Sequence, residues 1–185
     1  MAQPLPADDM NAGLTTAESR AIWPGRIITL TRCPAAAIFQ GLKRCENRTF
    51  QLANGKYDER GVPIGISVKK GEGRRKIVEY MTKNDVYKTQ LLTNGPWTGM
   101  TPEEFCADTD IWEGKIIGYI VCDTVGRDPD WDYPHENYPE DRGFTWLIQQ
   151  SFMFEQAVDG HKGGQSWNYI TDPVVLKKYM DQIPV

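Results

Sequence analysis

The sequence has little of what metal centres and disulfide scaffolds require: four cysteines and two histidines in 185 residues. Cys33, Cys45, Cys106 and Cys122 are widely scattered with no C-x-x-C pair, and His135 and His161 show no H-x-x-x-H spacing. Metal sites favour close ligand pairs, so no metal is expected, and no cofactor motif stands out. Cysteines set in apolar segments suit buried, reduced thiols in a cytoplasmic or nuclear compartment. Any run of about 18 apolar residues is missing, which argues against a membrane span. The N-terminus has neither a basic start nor an apolar stretch, so it does not read as a secretory signal. A global positive charge is lacking too. The formal charge is −4, so contact with nucleic acid would need a local basic patch.

What is present is a foldable composition. The chain is 40% hydrophobic, with six Trp, eight Tyr and six Phe, more aromatic content than disordered chains carry. Residues 1–22 are polar and read as a loose tail, and 23–185 as one domain, presumed monomeric. Charge is polarised along that domain. Residues 60–95 are rich in Lys and Arg, whereas 103–141 are dominated by Asp and Glu.

Local patterns give a sequence of elements. RIITLTR (26–32) reads as a strand, and PAAAIFQGLK as a short helix with Pro34 in its first turn. ENRTF reads as a second strand, followed by the turn signal Asn54-Gly55. GVPIGISVKKG (61–71) alternates as a third strand, and 74–92 spaces Ile77, Val78, Met81 and Val86 as a helix. Thr101 and Pro102 mark the N-cap and first position of another helix. KIIGYIVCDTV (115–125), FTWLIQQSFMFEQAV (144–158) and QSWNYI (165–170) read as strands, and DPVVLKKYMDQI as a terminal helix. The long segment 126–143, with three prolines, aromatics and acids, reads as a loop of the length that is usually functional. Strands with crossover helices and hairpins in one small domain predict an α+β fold around a strongly curved sheet or small barrel.

The densest chemistry lies in GLKRCENRTF (41–50). A helix ending in G-x-K and running at once into E-x-R-[ST]-aromatic resembles the ASCH family of the PUA-like superfamily. Gly65-Ile66-Ser67-Val68-Lys69-Lys70, Gly114-Lys115-Ile116-Ile117-Gly118, Phe144-Thr145-Trp146-Leu147 and Trp167-Asn168-Tyr169 resemble that family's later strands. The resemblance spans roughly residues 24–171 and is closest to the ASCH domain of a eukaryotic transcription coactivator. It implies a curved β-barrel with flanking helices and a cleft into which Lys43, Glu46 and Arg48 point. In the superfamily such clefts take RNA, DNA or modified nucleobases.

On a strand Arg44, Glu46, Arg48 and Phe50 share one face, and Lys43 can fold over it. Two cations beside one carboxylate hold it ionised, while the carboxylate orients the Arg fork. Donors and an acceptor arrayed together suit the edge of a base. The same trio could equally be a strand-face salt-bridge network with no ligand. Lys69, Lys70, Arg74, Arg75 and Lys76 are the phosphate-contact candidates, and Trp97, Trp131, Tyr133 and Tyr138 the base-stacking candidates.

Two other function classes remain open. One is a hydrolase acting on nucleic acid or a modified nucleoside, with Lys43 and Glu46 in acid/base roles. Against the N4-acylcytidine amidohydrolases of the family, Glu46 stands where their Thr nucleophile would be, and Thr49 points to the opposite face. The other is a protein-interaction module built on loop 126–143.

Overall fold

The computed structural model describes residues 25–48, 52–54, 57–58, 60–83, 90–125, 144–159 and 168–183. The expected tail 1–22 and the loop 126–143 lie outside these residues. Among the described residues the fold is mixed α+β, with one six-stranded sheet curled into a half-barrel and four helices packed on it. No helix among them is long and apolar enough to cross a membrane.

The chain enters β1 (Arg26–Leu30), then helix α1 (Arg32–Phe39) and strand β2 (Cys45–Arg48). Two short strands, β3 (Ala53–Asn54) and β4 (Tyr57–Asp58), pair with each other apart from the main sheet. Strand β5 (Pro63–Val68) and helix α2 (Arg74–Lys83) follow. Next come helix α3 (Pro102–Thr109), a 3₁₀ turn (Asp110–Trp112), β6 (Ile116–Val125) and β7 (Phe144–Val158). The domain closes with β8 (Asn168–Tyr169) and α4 (Pro173–Met180). The sheet order is β2-β7-β6-β5-β1-β8, with β1 and β5 parallel and the other neighbours antiparallel.

Several signals read in the sequence take the expected form. The Thr101 side chain accepts from the Glu104 N–H at 3.2 Å while the Glu104 carboxylate accepts from the Thr101 N–H at 2.8 Å, a complete capping box. Asp172 caps α4 by accepting from the Val174 and Val175 amides. Elsewhere tertiary packing moves the boundaries. Helix α1 starts at Arg32, ahead of Pro34, so β1 ends at Leu30 instead of running to 32. The helix read over 74–92 is described only to Lys83, with Ile77 and Met81 one turn apart on its buried face.

The sheet has an apolar layer on each side. Ile28, Leu30, Ile64, Ile66, Val68, Ile120, Cys122 and Trp146 pack on the inner side with α1, α2 and α3. On the outer side, Ile27, Tyr119 and Phe154 pack with Val175 and Tyr179 of α4. Even and odd positions of one strand therefore serve different cores, as at Ile27 and Ile28. Gly65 of β5 carries no side chain because that space is filled. A Cβ there would stand 2.7 Å from the Tyr179 hydroxyl and 3.2 Å from Ile27 Cγ1. In β7 one extra residue, Gln149, separates the pairs Val121–Gln150 and Cys122–Ile148. The bulge adds twist and keeps Trp146 and Ile148 facing inward.

An ion network not foreseen from the sequence ties α1 to the far half of the chain. Arg32, 2% exposed, donates to the Cys106 carbonyl at 3.1 Å and to the Asp110 carboxylate. Its other nitrogen lies 3.6 Å from Glu113, and its backbone N–H donates to Glu72 at 3.1 Å. Arg74 donates to the second Asp110 oxygen at 2.8 Å through Nε. The four cysteines are free and buried, as expected.

Two tests follow from this packing. Gly65→Ala is expected to cost about 1–3 kcal/mol through overpacking, and Gly65→Ala with Tyr179→Phe less than the sum of the two single changes. Chemical denaturation of the four forms measures the coupling; strict additivity would mean that the Tyr179 ring is not what excludes a side chain there. Asp110 has its pKa lowered by hydrogen bonds from Arg74 and then Arg32. A carboxylate depressed in the folded state stabilises above its unfolded pKa, about 4, and that contribution is lost as pH falls through the lower folded value. Asp110→Asn should therefore lower the thermal midpoint at pH 7 and shrink the gap to the native protein as the pH is taken below about 4.

Candidate functional site

The site begins with how α1 ends. Gln40 closes the helix, and Gly41 turns the chain with φ at +69°, a left-handed conformation that L side chains disfavour. The Leu42 and Lys43 amides both donate back to the Ala37 carbonyl, at 2.9 and 3.0 Å. This hairpin-like exit lays Lys43 beside the strand that follows. Lys43 thus sits in the turn after the helix and not at its last position as the sequence suggested.

β2 then pairs antiparallel with the start of β7, placing Glu46 directly opposite Trp146. Opposed residues share a face. Trp146 is fully buried in the inner core, so the Glu46 carboxylate is carried inward with it. There it meets both cations. Lys43 Nζ lies 2.6 Å from Glu46 Oε2 and also donates to the Cys45 carbonyl. Arg48 Nε lies 3.0 Å from Glu46 Oε1, an ion pair whose alignment falls short of a hydrogen bond. The three side chains are 3%, 8% and 13% exposed. Lys43, Glu46 and Arg48 are therefore brought together under the curl of the sheet.

Arg48 also spans the curl. Its Nη2 donates to the Thr29 carbonyl at 3.4 Å, joining β2 at one edge of the sheet to β1 near the other. β8 pairs only with Arg26 and Ile27, which leaves Thr29 clear of that neighbour. Cys122 stands close enough to sense all three charges, and burial first, then Glu46, pushes its thiol far up. It stays a neutral core thiol. Cys45 is buried too, its thiol raised by burial.

Other expected site residues divide. Arg44 does not join the trio: it precedes β2 and is exposed, and its carbonyl accepts from the Ile148 amide at 2.9 Å. Trp97 is no stacking platform. It is 3% exposed, meets Phe105 and Trp112 edge-to-face, and donates its indole N–H to Asp108 at 2.7 Å. Packing claimed it because it lies against α3, which its position in an irregular stretch did not reveal. Trp131, Tyr133 and Tyr138 fall outside the described residues.

In the basic segment, Lys69, Lys70, Arg75 and Lys76 are exposed. Arg74 is exposed as well, yet its guanidinium is already held by Asp110. Lys69 follows β5, and its amide donates to the Leu30 carbonyl at 2.8 Å. That carbonyl belongs to the residue after Thr29, so Arg48 and the basic segment approach the same end of the parallel pair β1/β5 from its two sides. No protein-family model matches the sequence, and comparison with curated proteins finds no match.

The trio is tested by removing its centre. Glu46→Ala would leave two buried cations without their carboxylate, and a loss of about 3–5 kcal/mol is expected. Pairing it with Lys43→Met should recover part of that loss, since one uncompensated charge goes with it. Equal destabilisation of the single and double variants in urea titrations would show that charge pairing does not govern this spot.

Proposed function

We propose that this chain is an ASCH-type domain of the PUA-like class that binds RNA, DNA or a modified nucleotide at Lys43, Glu46 and Arg48. The observation that carries the reading is the convergence of Lys43 and Arg48 on the buried Glu46 carboxylate beneath a curled sheet. Solvated surface charges would have spread outward, and surface ion pairs hold their geometry weakly. The quoted G-x-K-x-x-E-x-R motif and the curved α+β architecture point the same way. Lys69, Lys70, Arg75 and Lys76 would meet the phosphate backbone from the rim, where their exposure leaves them available to it. Arg74 is the weakest member of that group because Asp110 already holds it.

The hydrolase reading has less in its favour. Glu46 occupies the family's nucleophile position, and the neighbouring Cys122 thiol is held protonated by burial. A protein-interaction role for 126–143 draws on no described residue.

Fluorescence anisotropy with labelled RNA and DNA, single- and double-stranded, at several salt concentrations tests the proposal. Affinity is expected to fall linearly on a log–log plot, and Lys70→Ala with Lys76→Ala to reduce the slope by about 1.4–1.8 if both contact phosphates. Lys43→Met should weaken binding as well. Absence of salt-sensitive binding to every polymer form would refute it.

A further inference from the structure

The charges at the site do not balance. Lys43 and Arg48 face the single carboxylate of Glu46, a formal excess of one positive charge. Donors and acceptors are unequal as well. Both Glu46 oxygens are taken, Oε2 by Lys43 and Oε1 by Arg48. An ammonium has three N–H donors and a guanidinium five. Lys43 uses two of its own, on Glu46 and the Cys45 carbonyl. Arg48 makes one long bond, to Thr29, and its buried Nε has no aligned acceptor among the described residues. Unmet donors on a largely buried cation are costly, and an anionic acceptor satisfies them best. Around Arg32 the balance runs the other way. Asp110, Glu113 and Glu72 outnumber Arg32 and Arg74, so although the buried Arg32 Nε also lacks an aligned acceptor, the charge of that network does not call for an anion.

We infer that the Lys43–Glu46–Arg48 site is an anion seat, which takes a phosphate oxygen of the ligand against Arg48, with Glu46 orienting the cations instead of reading a base edge. This rests on the nucleotide-binding reading above and specifies what that ligand must present.

Isothermal titration of the full chain with uridine, uridine 5′-monophosphate and inorganic phosphate tests this. The monophosphate is expected to bind at least about tenfold more tightly than the nucleoside, inorganic phosphate to displace it, and Arg48→Gln to remove the preference. Glu46→Gln adds a further unit of positive charge. In protein that keeps its near-ultraviolet circular dichroism, it should hold or tighten monophosphate binding; loss there would mean that the carboxylate itself contacts the ligand and would overturn the seat. Equal affinity for nucleoside and monophosphate, a preference untouched by Arg48→Gln, or no binding of any probe would overturn it too. A 5′-phosphorylated RNA competing better than its 5′-hydroxyl form supports a strand-end phosphate, and equal competition supports internal phosphodiesters, provided the monophosphate preference holds. The two readings fail separately. Polymer binding without monophosphate preference sinks only the seat, whereas monophosphate preference without polymer binding sinks only the nucleic-acid reading.

Discussion

Glu46 is held between Lys43 and Arg48 on the inner side of a curled sheet, and the arrangement around it follows from that carboxylate. Ammonium and guanidinium groups are carried this far from water only where a carboxylate compensates them. With Glu46 in place, Lys43 can fold back from the end of α1 after the left-handed turn at Gly41. Arg48, drawn to the same carboxylate, reaches the Thr29 carbonyl and links strands from opposite parts of the sheet order. One anion thus couples helix exit, strand face and curl. The site and the architecture share a centre, which is why changes aimed at ligand binding there must be read beside a measure of stability.

Among the described residues, the ion networks around Arg32 and around Glu46 differ in sign. Around Arg32, carboxylates from the β5–α2 connection and from the 3₁₀ turn after α3 and its exit outnumber the arginines and bind α1 to elements forty to about eighty residues away. Its acid excess also recruits Arg74 out of the basic segment. Around Glu46, among the described residues, the two cations outnumber the one carboxylate. The first arrangement clamps helices together. Proximity of charges alone would not separate these cases; the sign of the net charge among the described residues does.

Much of the fold was legible because it is written in short-range patterns. The N-cap at Thr101, the terminal helix and the bounds of β7 came directly from cap chemistry, helical composition and strand composition. The motif at 43–48 was legible as a cluster for the same reason, since its members are five positions apart at most. Errors arose where a residue's environment depends on a distant element. Trp97 looked available because its neighbours in sequence are irregular, yet Phe105 and Trp112 enclose it. Arg44 looked like a member of the strand face, yet β2 begins at Cys45 and the Arg44 side chain is exposed, while only its carbonyl is bonded to β7. Arg74 looked free because its carboxylate partner stands thirty-six residues on.

From the sequence alone came the class of elements, their order, the unpaired cysteines and the clustering of Lys43, Glu46 and Arg48. These are properties of local backbone preference and of spacing within one turn or strand. Only the tertiary structure decided which charges are buried, which are paired, and that the sheet closes far enough for Arg48 to reach Thr29. Burial and pairing are set by contacts between segments far apart in the chain, and the free energy of a charge depends on those contacts far more than on its neighbours in sequence.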